Sequence, residues 1–107
     1  MKTIQDLIKD LTGIDVEQEK INEYLENEAL YLQGANLYRA DLHWADLQSA
    51  DLEETNLKNA KLQWAKLINA NLRGAYLKDA NLSYTDLRGA YLEDACLRGV
   101  NLSCADL

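Results

Sequence analysis

Leucine recurs every fifth residue from Leu32 to Leu107, sixteen times without a slip. No regular element accommodates that spacing alone. On an α-helix, steps of five residues rotate each leucine by roughly 140° from the last and scatter them around the axis. On an unbroken strand, successive leucines would alternate between faces. Two residues before each leucine stands a small residue, alanine in twelve of the sixteen units, the exceptions being Leu30, Thr55, Thr85 and Val100. Residues two apart share one face of a short extended piece, and the next small residue follows three later, so the chain must turn a corner between units. A chain that bends the same way every five residues closes into a coil. Its interior receives Leu and Ala, and its exterior receives the other three positions.

The exterior positions bear on the number of sides. With four units per coil, residues twenty apart stack. Trp44, Trp64 and Tyr84 then form an aromatic column, while Glu53, Arg73, Glu93 and Asp46, Lys66, Asp86 form columns of alternating sign. Such cross-strand pairs each stabilise by a fraction of a kcal/mol up to ~1. The column Lys58, Lys78, Arg98 disagrees, because it stacks like charges. Most columns favour a square coil, and a three-sided coil stays open.

The residue before the leucine is often Asp or Asn, as in Asn36, Asp41, Asp46, Asp51, Asn56, Asn71, Asn81, Asp86, Asn101 and Asp106. The resulting pattern Ala-(Asp/Asn)-Leu-x-x resembles the pentapeptide-repeat family over residues 30–107. The resemblance implies a right-handed quadrilateral β-helix of about four coils, a mainly β solenoid ~20 Å long. Tyr31, Lys61, Lys66, Tyr76, Tyr91 and Cys96 depart from the pattern at the position before the leucine. That position points outward, so the departures are expected to alter the surface and not the fold.

Residues 1–29 read as a helical cap. Thr3 is a candidate N-cap, Ile4, Leu7, Ile8 and Leu11 give an apolar stripe, and Gly13 suits the stop of a helix over 3–11. A second helix is predicted over about 16–27, with Asp15 as N-cap, Gln18 in the capping-box position, and Ile21, Tyr24 and Leu25 facing inward. The pair is expected to lid the first coil, since terminal repeats of solenoids need caps. Its outer face (Glu17, Glu19, Glu23, Glu26, Glu28) reads as solvated, with partner docking as the alternative. At the other end the repeat runs to Leu107 in register. Two expectations follow: the natural chain continues, or the uncapped C-terminal coil pairs with a second copy to form a homodimer.

The net charge of −7 is uneven: residues 1–29 hold three Lys against eight Asp/Glu, and residues 30–107 hold eight Lys/Arg against ten Asp/Glu. A phosphate backbone calls for a basic stripe, so nucleic acid is not an expected partner. No stretch reaches the ~20 apolar residues of a membrane span. Asp6 and Asp10 interrupt what would be a signal peptide's apolar core, so the expected location is cytoplasmic. The sequons at Asn81 and Asn101 read as by-products of the repeat.

No catalytic, cofactor or metal site is expected. His43 stands alone on the outside near Asp41, Trp44 and Asp46, and an interior filled with Leu and Ala leaves no concavity to assemble a nucleophile and base. Cys96 and Cys104, eight apart with no second pair, lack metal-site spacing, and Gly34, Gly74, Gly89 and Gly99 sit at corners, forming no phosphate loop. What remains is a protein–protein interaction module with an unknown protein partner. The candidate contact strip is Tyr38, His43, Trp44, Trp64 and Tyr84, since Trp and Tyr dominate binding hot spots. The same column would equally brace coils against one another.

The family resemblance implies two alternatives. Some members imitate duplex DNA and bind type II topoisomerases such as gyrase, but a repeat region of net −2 fits that role weakly. Others, abundant among cyanobacterial-type members, would be spacers or fragments of longer scaffolds.

Overall fold

A computed structural model describes residues 30–107. The helices expected over 3–11 and 16–27, and the lid they would form, lie outside the described residues. Twelve parallel backbone bridges, from Tyr31–Asp51 to Asp86–Asp106, all join residues twenty apart. The coil therefore has four sides, and the three-sided alternative is ruled out. We number the sides by their leucines: Leu32 opens the first, Leu37 the second, Leu42 the third and Leu47 the fourth. Each recurs on the same side twenty residues later.

Adjacent coils are tied by a ladder in which the leucine amide donates to the carbonyl nineteen residues on, as from Leu37 to Asn56 and from Leu57 to Tyr76, at 2.7–2.8 Å. The residue before each leucine donates back to the coil above, as from Asn56 to Ala35 at 3.0 Å. Between these ladders run the leucines. All twelve from Leu32 to Leu87 are buried, most of them completely. At roughly 1.5–3 kcal/mol for each buried leucine, this column is the main source of stability. Thr55 and Thr85, which replace the inward alanine, are buried as well. Their hydroxyls donate to the carbonyls of Leu52 and Leu82 at 2.8 and 2.7 Å, so no hydroxyl is left unpaired in the core. In the last coil burial declines: Leu97 is 39% exposed and Leu107 75%.

Each corner is a four-residue turn, Leu-x-x-Ala in all but three cases (Thr55, Thr85 and Val100 end the others), closed by a hydrogen bond from the last amide to the leucine carbonyl (Ala40 to Leu37, 3.0 Å; Ala60 to Leu57, 3.0 Å; Thr55 to Leu52, 3.2 Å). The third residue of every turn has positive φ, between 57° and 72°, from Gly34 to Cys104. A positive angle at the third position and not the second is the signature of a type II turn. Only four of these fifteen positions are glycine; the others include Arg39, Trp44, Glu54, Trp64 and Tyr84. A left-handed conformation costs an L-residue roughly 1–2 kcal/mol, so the corners are locally strained and are held by what surrounds them.

The Asp or Asn before the leucine supplies part of that hold. From Asn36 to Asn101, each of the nine Asp and Asn residues at this position accepts, through Oδ1, the amide of the residue two further on, at 3.0–3.4 Å. These are Asx turns, which pre-shape the corner and satisfy an amide that the ladder does not use. The position points outward, as expected, yet it takes part in the fold and is more than surface decoration.

Corner columns also restrict each other. A Cβ at Gly89 would lie 2.2 Å from Asn69 Oδ1 in the coil above, whereas at Gly34 it would meet nothing within 4 Å among the described residues. Gly34→Ala should therefore cost only the left-handed strain, ~1–2 kcal/mol, and Gly89→Ala should cost more. Measured against Asn69→Gly, which itself relieves left-handed strain at residue 69, Gly89→Ala should cost no more than Gly34→Ala does in the wild type; equilibrium denaturation of the two glycine variants, Asn69→Gly and the double variant measures this.

Candidate protein-contact surface

The third side carries an aromatic column because two tryptophans and a tyrosine occupy its corner position in three successive coils. Trp44, Trp64 and Tyr84 have φ of 64°, 62° and 60°. Their rings stack in register, Trp44 on Trp64 with centroids 5.1 Å apart and 6° between planes, and Trp64 on Tyr84 at 4.4 Å and 7°. A bulky residue at positive φ is a backbone outlier. Here the strain recurs in three coils and is offset by stacking, worth ~0.5–1.5 kcal/mol per pair beyond burial. The rings still show much of their surface to solvent, 66% for Trp44, 46% for Trp64 and 47% for Tyr84. Cys104 continues the column and is exposed, and Cys96 is half-buried on the second side; both are free thiols.

His43 lies on the same side as the column. Its ring Nδ1 is hydrogen-bonded to Asp41 Oδ1, and its amide donates to the same oxygen. Burial works against ionisation of Asp41, but the hydrogen bonds from His43 and the nearby charge of Lys61 outweigh it and hold the carboxyl below its usual 3.8. Tyr38 is placed elsewhere. It heads the column of Lys58, Lys78 and Arg98 on the second side and borders, with Arg39, Asn59 and Lys61, a shallow groove of about 320 Å³ at the corner between the two sides. The five strip residues thus span two adjacent sides, four of them on the third.

The charged columns behave in part as the stacking pattern predicts. Arg73 Nε lies 3.2 Å from Glu93 and its guanidinium sits 4.2 Å over the Tyr91 ring. Glu53 instead accepts from Asn71 at 3.3 Å. In the other column, Asp46, Lys66 and Asp86 adjoin along the backbone, but no ion pair forms between their side chains among the described residues. Asp86 is taken by Arg88, whose Nε and Nη2 donate to its two oxygens at 2.9 and 2.6 Å. These hydrogen bonds, aided by the charges of Arg88 and Lys66 against a burial effect of opposite sign, hold Asp86 below 3.8 and raise Arg88. A neighbour two residues away on the same outer edge reached the carboxylate more directly than the lysine one coil up.

Among the described residues no group of three or more His, Cys, Asp or Glu side chains could hold a metal ion. No helix there is long and apolar enough to cross a membrane. The other notable depression, about 350 Å³, is an open groove on the first side, lined among the described residues by Gln33, Gly34, Glu53 and Glu54, two carboxylates with no nucleophilic side chain beside them.

The model of pentapeptide repeats matches residues 35–74 and 75–107, in eight copies. The chain belongs to the pentapeptide-repeat family. Among solved structures it is similar to HetL, a pentapeptide-repeat protein involved in heterocyst differentiation regulation from the cyanobacterium Nostoc sp. strain PCC 7120. The two are 39% identical over 76% of this chain and 38% of HetL, with a TM-score of 0.73. It is also similar to the pentapeptide-repeat protein Rfr23 from the cyanobacterium Cyanothece 51142, at 38% identity over 75% of this chain and 67% of that one, with a TM-score of 0.44. No match was found among curated proteins. The chain spans well under half the length of HetL. Membership of the family assigns the coil as a right-handed β-helix.

Two measurements check the surface. Trp64 stacks on two rings and Trp44, among the described residues, on one, so Trp64→Ala should lose about twice the stacking energy of Trp44→Ala, ~1–3 against ~0.5–1.5 kcal/mol by denaturation. Both Asp41 and Asp86 should titrate below 3.8 by carboxyl NMR. Because a lowered carboxylate pKa stabilises the fold above the unfolded value, their contribution is kept at neutral pH and lost only as pH falls through the lowered values.

Proposed function

We propose that this pentapeptide-repeat protein is a non-catalytic cytoplasmic interaction module that docks a protein partner on its third side. Pentapeptide-repeat proteins are generally structural or interaction proteins, and here the leucine-filled interior leaves the outer surface as the place where recognition can occur. The observation that carries the reading is the stacked column Trp44–Trp64–Tyr84. It presents three large, pre-organised aromatic side chains that remain roughly half exposed or more. Rigid aromatic anchors lose little conformational entropy on binding and dominate hot spots. His43, tied to Asp41, flanks the column, and Tyr38 extends the surface around the corner. HetL's involvement in the regulation of heterocyst differentiation supports a regulatory binding role over a purely structural one.

A duplex-DNA mimic would need negative charge on every side, and the second side carries Arg39, Lys58, Lys78 and Arg98, so no observation favours a topoisomerase partner. The test is affinity capture from the native host with the wild-type chain, Trp44→Ala/Tyr84→Ala, and Gln48→Ala on the fourth side as control. Partners should be retained by the wild type and Gln48→Ala and lost from the aromatic double variant. Equal recovery by all three would remove the third side as the docking surface.

A further inference from the structure

Charge in the repeat region is sorted by corner. The turn residues that close the first side include Glu53, Glu54, Glu93 and Asp94 against Arg73, a net of −3. Those that close the second side include Arg39, Lys58, Lys78 and Arg98 against Asp79, a net of +3. Between these corners runs the flat of the second side, whose outward residues Asn36, Asn56, Tyr76 and Cys96 are uncharged. The second side is thus a neutral strip with an acidic edge and a basic edge of equal and opposite charge. No other side is bounded this way among the described residues. The corner that closes the third side holds the aromatic column and no acid, lysine or arginine, and the one that closes the fourth holds Arg88 alone.

Such a face complements a second copy of itself in one orientation. When two second sides meet across a two-fold axis parallel to the solenoid, each acidic edge lies along the other copy's basic edge, and equivalent coils stay level. When the axis runs across the solenoid instead, acid meets acid and base meets base, and like charges repel. The pairing can be followed coil by coil. In the second coil Glu53 and Glu54 face Lys58 of the other copy, and in the fourth Glu93 and Asp94 face Arg98. Each of these pairings occurs twice, because a two-fold contact is isologous. In the third coil Arg73 falls level with Asp79, and Lys78 stands one coil rise, ~4.8 Å, from the acids above and below. Sliding one copy by a coil would set Arg73 against Lys58 or Arg98, so the charges specify register as well as direction. Along the centre of the contact Tyr76, 39% exposed, meets its own counterpart, and the half-buried Cys96 meets Cys96 one coil below. An uncharged aromatic centre within a charged rim is the usual anatomy of a protein interface.

We propose that the protein forms a parallel homodimer through its second side, with the two-fold axis running along the solenoids. The aromatic column, at the corner that closes the third side, stays outside the contact. This assembly differs from pairing through the C-terminal coil, which stacks solenoids end to end and leaves both charged corners in water.

Exposed ion pairs are individually weak, and one side of a four-coil solenoid is small for an interface. Sedimentation equilibrium of the full chain should therefore show a dimer at high protein concentration and low salt. It should dissociate at 1 M salt, where the screening length falls to ~3 Å. Glu53→Lys/Glu93→Lys turns the acidic corner net basic, and Lys58→Glu/Arg98→Glu turns the basic corner net acidic. Each double variant alone should be monomeric, and an equimolar mixture should restore a dimer containing one copy of each. In Cys104→Ser, a short bismaleimide matched to the ~10 Å between packed sheets should couple Cys96 to Cys96. With the axis across the solenoid the two thiols lie three coil rises, ~14 Å, apart along it and should not couple. A wild type that stays monomeric at its highest soluble concentration in low salt would overturn the proposal, as would absence of the Cys96 link. A dimer that both double variants retain on their own would overturn it too, by assigning the contact to another surface such as the solenoid end. So would a mixture that stays monomeric while both variants keep the circular dichroism of the wild type.

Discussion

A corner every fifth residue is the condition on which this structure rests. Each Leu-x-x-Ala turn holds its third residue at φ of 57–72°, a conformation that eleven of the fifteen such residues adopt against the preference of an L-side chain. No single turn would persist alone. It persists because closing the coil places a leucine inside and brings the backbone of the next coil within hydrogen-bond reach. Burial of the leucine outweighs the strain at the corner, and the Asx turn before it narrows the conformations available to the chain. Strain and burial are thus coupled at a spacing of five residues, so the repeat tolerates large variation outside and almost none inside.

The same coupling organises the surface. Because every coil repeats after twenty residues, an outward side chain meets the same position of the coil above and below. Stacked aromatics on the third side, acids on the first and cations on the second are consequences of that register combined with residue choice. Corner residues are most affected, since their side chains leave the solenoid edge nearly parallel to one another. Trp44, Trp64 and Tyr84 can therefore stack with 6–7° between planes, and Asn69 can press on Gly89 so closely that a Cβ would not fit. The outer surface of this protein is organised in columns.

Much of this was legible in the sequence. The leucine period excluded a single helix or strand, and the twenty-residue columns of Trp44, Trp64, Tyr84 and of Arg73, Glu93 were visible before any coordinates. Other features were not. The Asx turns from Asn36 to Asn101 are not legible in the sequence, because an outward polar residue has the pattern of plain surface and only the fold brings its oxygen to the amide two residues on. The Asp46, Lys66, Asp86 column suggested ion pairs, but Arg88 lies closer to Asp86 along its own strand. Column membership fixes backbone neighbours, whereas long side chains choose among several partners within reach.

Sequence alone determined the coil. A period of five with small and large apolar residues two apart admits hardly any other burial of sixteen leucines, since the geometry of extended chain and turn is local. Tertiary structure decided how many sides the coil has and which left-handed corners hold bulky residues. It also decided which charged side chains pair and how much of each aromatic ring still meets solvent. Those outcomes depend on contacts between residues twenty apart, where neighbouring coils supply the competing partners, and no local propensity records them.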